Sequence, residues 1–269
     1  MYDKGEAIFS RIIYVKGTNM KTIHEISAIA ERKSKLIYRD GDKVYKIFDE
    51  TFSKSNVLNE GLNQARIEET GLKIPKIIEV TAIEGKCAIV MEYIEGITLE
   101  KLMKANPEKM DEYLELFVDL QMEIHACRSP LLTKFKDKMT DKIFKSDLDA
   151  STRYDLAMRW REMPDHNSVL HCDFNPSNVI ITPDGTPYII DWSHASQGNA
   201  SADAAKTYLI FELEGKKDIA EKYLKLFCKK KGTSEEYARK WIPLIAAAQL
   251  IKGKAENREI LMKHVNSVE

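Results

Sequence analysis

His171-Cys172-Asp173-Phe174-Asn175-Pro176-Ser177-Asn178 is followed by the β-rich runs 179–182 and 187–190, with Pro183-Asp184-Gly185 between them, and then by Asp191-Trp192. Each residue of the break has a turn mechanism: proline presets φ, aspartate bonds the backbone ahead of it, and glycine accepts positive φ. The segment therefore reads as a tight hairpin behind a loop. The returning strand ends on Asp191, at the same end of the hairpin as Asn178, and Asp173 precedes Asn178 by five positions on the loop. The spacing gathers three oxygen-bearing side chains.

Outward from this island the pattern differs on the two sides. From about residue 23 to 93 the chain favours strands. LIYR and KVYKIF flank Asp40-Gly41, and KIIEVTAI and KCAIVMEY flank Glu84-Gly85, pairs suited to hairpin turns. A helix over 55–70 separates the two hairpins and ends at Gly71. Beyond Gly96, apolar residues recur every three or four positions over 107–125 and 151–163, and the chain is helical again from 202 onward. The expectation is an α+β fold of two lobes. A small antiparallel-sheet lobe with one helix spans 1–94, and a larger, mostly helical lobe spans 95–269.

The 269 residues are 43% apolar, enough for a substantial core, and 31% charged, yet the formal net charge is only -1. That balance supplies no general attraction to nucleic acid or to a membrane surface. The longest apolar segment, 242–251, falls short of the ~20 residues of a bilayer span, and charges interrupt the first residues where a signal peptide needs its apolar core. Cys87, Cys127, Cys172 and Cys228 are widely separated, with no spacing that closes a tetrahedral metal site. Reduced thiols in a cytoplasmic protein are expected.

Phosphoryl transfer needs a carboxylate to orient the attacking hydroxyl and hard oxygen ligands for magnesium. Asp173, Asn178 and Asp191 are of those types. Taken singly, each is as well explained by hydrogen bonding to nearby loop backbone; the joint pattern is what distinguishes them. HxDxxxxN, a hairpin and then I-D-W resemble the catalytic loop and metal-binding segment of the aminoglycoside phosphotransferase and choline kinase group, relatives of the protein kinases. The resemblance implies a protein-kinase-like fold with Asp173 as catalytic base, Asn178 and Asp191 as magnesium ligands, and His171 as a packing residue.

The similarity runs from about residue 29 to the end of the chain. Lys46 in KVYKIF resembles the strand lysine that holds the α- and β-phosphates, and Glu60 the helical glutamate that pairs with it. Unassisted, Glu60 reads as a solvated helix residue. The segment 89–96 resembles the hinge beside the adenine, with Met91 as gatekeeper and the backbone of Glu92 and Ile94 bonding the base. Residues 198–205 resemble a G-x-P-x-x-D-x-A segment whose aspartate, here Asp203, braces the catalytic loop; a helix N-cap is the competing reading. Trp241 and 245–250 resemble core C-terminal helices. The implied activity is magnesium-dependent transfer of the γ-phosphoryl group of ATP or GTP to a hydroxyl of a small molecule.

Some features depart from that pattern. No glycine lies in 29–35, where Arg32 stands and where backbone amides usually cradle phosphate. Either side chains of Ser34, Arg32 or Lys35 replace some of those amide contacts, or the segment is a solvated basic loop; a pseudokinase-type binding module is the alternative function. A protein kinase is disfavoured: Asn175 stands where a lysine is usual, and eleven residues separate Asp191 from Asp203, too few for an activation segment. For the acceptor, segment 95–165 carries net -3 and 204–269 net +5, neither of which favours a strongly anionic pocket. Asn175 and His194 are the candidate acceptor-side polar groups.

Overall fold

The computed structural model describes residues 27–32, 35–251 and 255–267. Strands β1 (Ser27–Arg32), β2 (Lys35–Asp40) and β3 (Lys43–Phe48) lead into helix α1 (Lys54–Glu68), followed by β4 (Ile77–Ile83) and β5 (Lys86–Glu92). Next come β6 (Ile97–Thr98), α2 (Leu99–Ala105), α3 (Met110–Ala126), α4 (Phe135–Lys145) and α5 (Ala150–Glu162). Three short strands, β7 (Ser168–Leu170), β8 (Val179–Ile181) and β9 (Pro187–Ile189), precede β10 (Ser196–Gly198). The remainder is helical: α6 (Ala200–Leu213), α7 (Lys217–Lys231), α8 (Glu235–Arg239), α9 (Trp241–Gln249) and α10 (Arg258–Asn266).

These elements form two compact units. The first comprises the described residues up to Gly96 together with Ile180–Ser193; the second comprises Ile97–Val179 and the described residues from His194 on. In the first, β1 to β5 make an antiparallel sheet in the order β1-β2-β3-β5-β4. The β2–β3 turn is Gly41-Asp42, one residue later than the sequence pattern suggests. Asp40 joins the ladder opposite Lys43, leaving Gly41 to carry the positive φ of +58°. Glu84 and Gly85 both have positive φ, as a two-residue hairpin turn of the mirror-image type requires.

Alternation along β3 gives the sheet two different faces. Ile47 packs with Ile83 and Ala88 on one side. Phe48 packs with Val57 and Ile89 on the side covered by α1, and Lys46, two positions away, shares that side. Helix α1 begins where the Ser53 hydroxyl accepts from Asn56 N–H at 3.3 Å. It buries Val57, Glu60, Gly61, Gln64 and Ile67, the three- and four-residue spacing of a single face. Gly61 lets the helix sit close on the sheet, since a Cβ there would lie 3.1 Å from Val80 Cγ2.

The 182–186 turn closes with Thr182 N–H to Thr186 O at 3.0 Å and Gly185 N–H to Thr182 O at 2.9 Å. Although its chain position lies in the helical half, this hairpin packs with the first unit. Ile189 N–H donates to Lys73 O at 2.9 Å, and Gly96 lies against Ile180 and Ile181. The division expected after residue 94 falls between Gly96 and Ile97, and Ile180–Ser193 groups with the first unit.

The second unit is built on helices that are apolar on most sides. In α6 and α9 most residues are buried. Phe117 of α3 stacks on Phe174 with centroids 4.3 Å apart, and Phe211 and Tyr223 close the cluster at 5.9 Å each. Strands β7 and β10 pair antiparallel, while Trp160 sits edge-on to Trp241 at 5.5 Å. No described helix is long and apolar enough to cross a membrane.

Gly96 tests the seating of the hairpin. A methyl group at Gly96 would lie 2.7 Å from Ile180 Cγ2 and against the Ile181 carbonyl. Gly96→Ala is therefore expected to destabilise by about 1–3 kcal/mol, a fall in midpoint of about 2–4 °C per kcal/mol, measured by thermal unfolding.

Candidate active site

The loop after β7 is held by the helix that follows it in the chain. Asp203, in the first turn of α6, is fully buried and accepts from Cys172 N–H at 2.8 Å and His171 N–H at 3.3 Å. Its Oδ2 also meets His125 Nε2 at 3.0 Å. Burial alone would raise the Asp203 carboxyl, but the hydrogen bond and charge of His125, His171 and the Cys172 N–H outweigh it and hold the group below its ordinary value. Three and four residues further along the same helix face, Lys206 donates to the Cys172 carbonyl and Thr207 Oγ1 to the Phe174 carbonyl, the latter at 2.9 Å. The helix N-cap is Asn199, which accepts from Ser201 N–H at 2.9 Å, so Asp203 serves the loop and not the cap.

This bracing fixes an unusual backbone. Cys172 has φ +62°, a left-handed conformation that non-glycine residues rarely adopt. Its thiol is fully buried and pushed up to about 12 by that burial, so it packs and does not react. His171 is also fully buried, and its Nδ1 accepts from Asp173 N–H at 3.2 Å. Asn178 and Asn175 each donate from Nδ2 to the Asp173 carbonyl at 2.9 Å, and Asn175 Oδ1 accepts from Ser177 N–H at 3.0 Å. Asn175 thus engages both its amide nitrogen and its amide oxygen within the loop. His194 is exposed in a short 3-10 turn.

In the first unit, three chain-distant residues form a buried ion group. Lys46 is 6% and Glu60 7% exposed, and the Lys46 ammonium pairs with Glu60 Oε1 and, at 3.1 Å, with Asp191 Oδ1. Burial would pull the lysine down, yet Asp191 and Glu60 outweigh it and hold it above its ordinary value. Glu60, which its helix alone would leave solvated, is on the buried stripe of α1. Asp191 has φ +64°, a second strained position held by its ion pair. Lys35 adds a second cation, its Nζ 2.9 Å from Glu60 Oε2. Burial and the neighbouring Lys46 lower its pKa, with Glu60 opposing. Met91 packs on Phe48 and Ile89, Glu92 N–H donates to Lys76 O at 2.9 Å, and Tyr93 N–H to Asp42 O at 2.8 Å, so the end of β5 is firmly placed before Ile94. Ser34 lies outside the described residues.

A family model described as the phosphotransferase enzyme family, APH, matches residues 23–239. The chain belongs to that family. Three solved structures place this phosphotransferase-family chain among kinase-like folds. A thermostable mutant of aminoglycoside phosphotransferase APH(4)-Ia matches with TM-score 0.67 and 14% identity, covering 91% of this chain and 94% of that one. A choline/ethanolamine kinase family protein from Mesorhizobium loti matches at 0.58 and 16%, covering 90% and 87%. APH(2″)-IIa, solved as a ternary complex with streptomycin and ATP, matches at 0.56 and 18%, covering 91% of each chain. None of the curated proteins matches the chain in sequence. The expected α+β fold, an antiparallel-sheet unit and a mostly helical one, is that of these relatives.

Asp203 is marked in the sequence of this phosphotransferase-family chain, whereas its partner His125 and the residues that hold the loop beside it, Lys206 and Thr207, are not. His125 lies on the buried face of α3, and Lys206 and Thr207 repeat from Asp203 at three and four positions, which is the one signal that would have found them. The ionised Asp203 carboxylate generates a prediction. Its depressed folded pKa means that its stabilisation is complete above the ordinary 3.8 and is lost as pH falls through the lower folded value. Asp203→Ala should cost roughly 3–5 kcal/mol at neutral pH in denaturant titrations, because two amides and the His125 ring lose their acceptor. The gap between variant and wild type should narrow as pH is lowered into that acid range.

Proposed function

We propose that this chain transfers the γ-phosphoryl group of ATP or GTP to a hydroxyl of a small acceptor, with magnesium as the accompanying ion. The observation that carries this reading is the buried Lys46 between Glu60 and Asp191. Apolar residues would fill such a position at equal or lower free energy. A charged lysine kept there is most simply explained by a polyanionic ligand, and family membership supplies the reaction class.

The donor set fits magnesium. Asp191 offers a carboxylate, and Asn178 has given its amide nitrogen to the Asp173 carbonyl, which orients its amide oxygen as the metal-seeking atom. Among the described residues no three His, Cys, Asp or Glu side chains gather as a metal site. Magnesium takes few protein ligands and completes its shell with phosphate and water. When bound, magnesium supplies positive charge against the phosphate oxygens.

The remaining steps fall to side chains. Lys46, oriented by Glu60, holds the phosphates; Met91 borders the base, which the backbone of Glu92 and Ile94 bonds. Asp173 aligns the acceptor hydroxyl and takes its proton as the new P–O bond forms and the bond from the γ-phosphorus to the bridging oxygen breaks, releasing ADP or GDP. His171 and Asp203 keep Asp173 in place without touching substrate. No covalent intermediate is invoked, since Cys172 is inert. The free cysteines suit the reducing cytoplasm, where we place the reaction.

Two measurements test the proposal. Mg-ATP or Mg-GTP at about a hundred times its Kd should stabilise the chain by about 2.7 kcal/mol, read as a raised thermal midpoint; no shift with either would indicate a nucleotide-free binding module. A mass-detected screen of hydroxylated metabolites and aminoglycosides should yield a monophosphorylated product. Asp173→Asn should keep the thermal shift and lose roughly 10²–10⁴-fold in product formation. Undiminished turnover in that variant would remove Asp173 from its role.

A further inference from the structure

We infer that Lys35 is a positioning residue for the nucleotide phosphates, acting through Glu60: it neutralises that carboxylate so that the charge of Lys46 is available to the phosphates. The inference rests on the nucleotide reading above. Glu60 is divided between two cations, Oε1 to Lys46 and Oε2 to Lys35 at 2.9 Å. The Lys35 side chain is only 15% exposed, unlike the surface pair Lys104–Glu100, whose lysine is 65% exposed. The rings of Phe48 and Phe52, 5.0 and 4.9 Å from its Nζ, hold the ammonium against the carboxylate.

The charge balance gives this pair its purpose. Lys46 with Glu60 and Asp191 alone would sum to minus one, which repels a polyphosphate. Adding Lys35 brings the group to neutral, and once the Asp191 carboxylate is compensated by a cation of its own, the two lysines and Glu60 leave a net positive charge. Lys35 heads β2, directly after a strand connection that contains no glycine. Glycine is absent from 29–35, and a side-chain cation at the end of that stretch supplies positive charge for phosphate.

The test compares Mg-ATP with adenosine, which lacks phosphates, by calorimetric titration of the full chain and of Lys35→Met and Lys35→Arg. Wild type should bind both ligands. Lys35→Met should weaken Mg-ATP by about tenfold and leave adenosine unchanged, while Lys35→Arg should restore Mg-ATP binding to within about threefold. Equal Mg-ATP affinity in wild type and Lys35→Met overturns the inference. So does a parallel loss of both ligands, or failure of both variants to fold, since either marks a structural role. If wild type binds neither ligand, the nucleotide reading itself fails and this inference falls with it.

Discussion

A lysine buried between two carboxylates constrains the first unit more than any other contact. Removing such charges from water costs several kcal/mol per ion unless each finds a partner. Lys46 comes from a central strand, Glu60 from helix α1, and Asp191 from a hairpin more than a hundred residues later in the chain. Their pairing ties β3, α1 and the end of the hairpin to one another. The left-handed backbone at Asp191 and the close seating of Gly96 on Ile180 are consistent with a segment held where its charge is required.

The second unit solves a parallel problem with a carboxylate. Asp203 is buried and satisfied by two amides and an imidazole. Those bonds turn the end of β7 through the left-handed Cys172, and Phe174 anchors the loop in the aromatic cluster. Asp173 therefore projects from a rigid support whose polar needs are met from within. Rigid support of this kind lets a single carboxylate act by position, which is what phosphoryl transfer asks of a protein.

Much of this was legible in the sequence because it depends on short-range chemistry. Turn residues marked the three hairpins, spacing marked α1 and the long helices, and motif order marked Lys46, Asp173, Asn178, Asp191 and Asp203. What the sequence hid depends on partners distant in the chain. Glu60 reads as solvated until the sheet covers its helix face, and His125 has no local mark that ties it to Asp203. The short strands β6, β7 and β10, two or three residues each, are too brief for periodicity to register. The hairpin's attachment to the first unit is likewise a tertiary fact, set by Ile189 and Gly96.

On the proposed function, the buried ion group of Lys46, Glu60 and Asp191 receives a nucleotide. Calorimetric titration of Mg-ATP into wild type and into a folded Lys46→Met variant, with the fold checked by circular dichroism, tests it most directly. Saturable binding by wild type that is lost or weakened at least tenfold in the variant is the predicted result. Equal affinity in the two proteins would show that Lys46 holds the fold and not the phosphates, and would contradict the account.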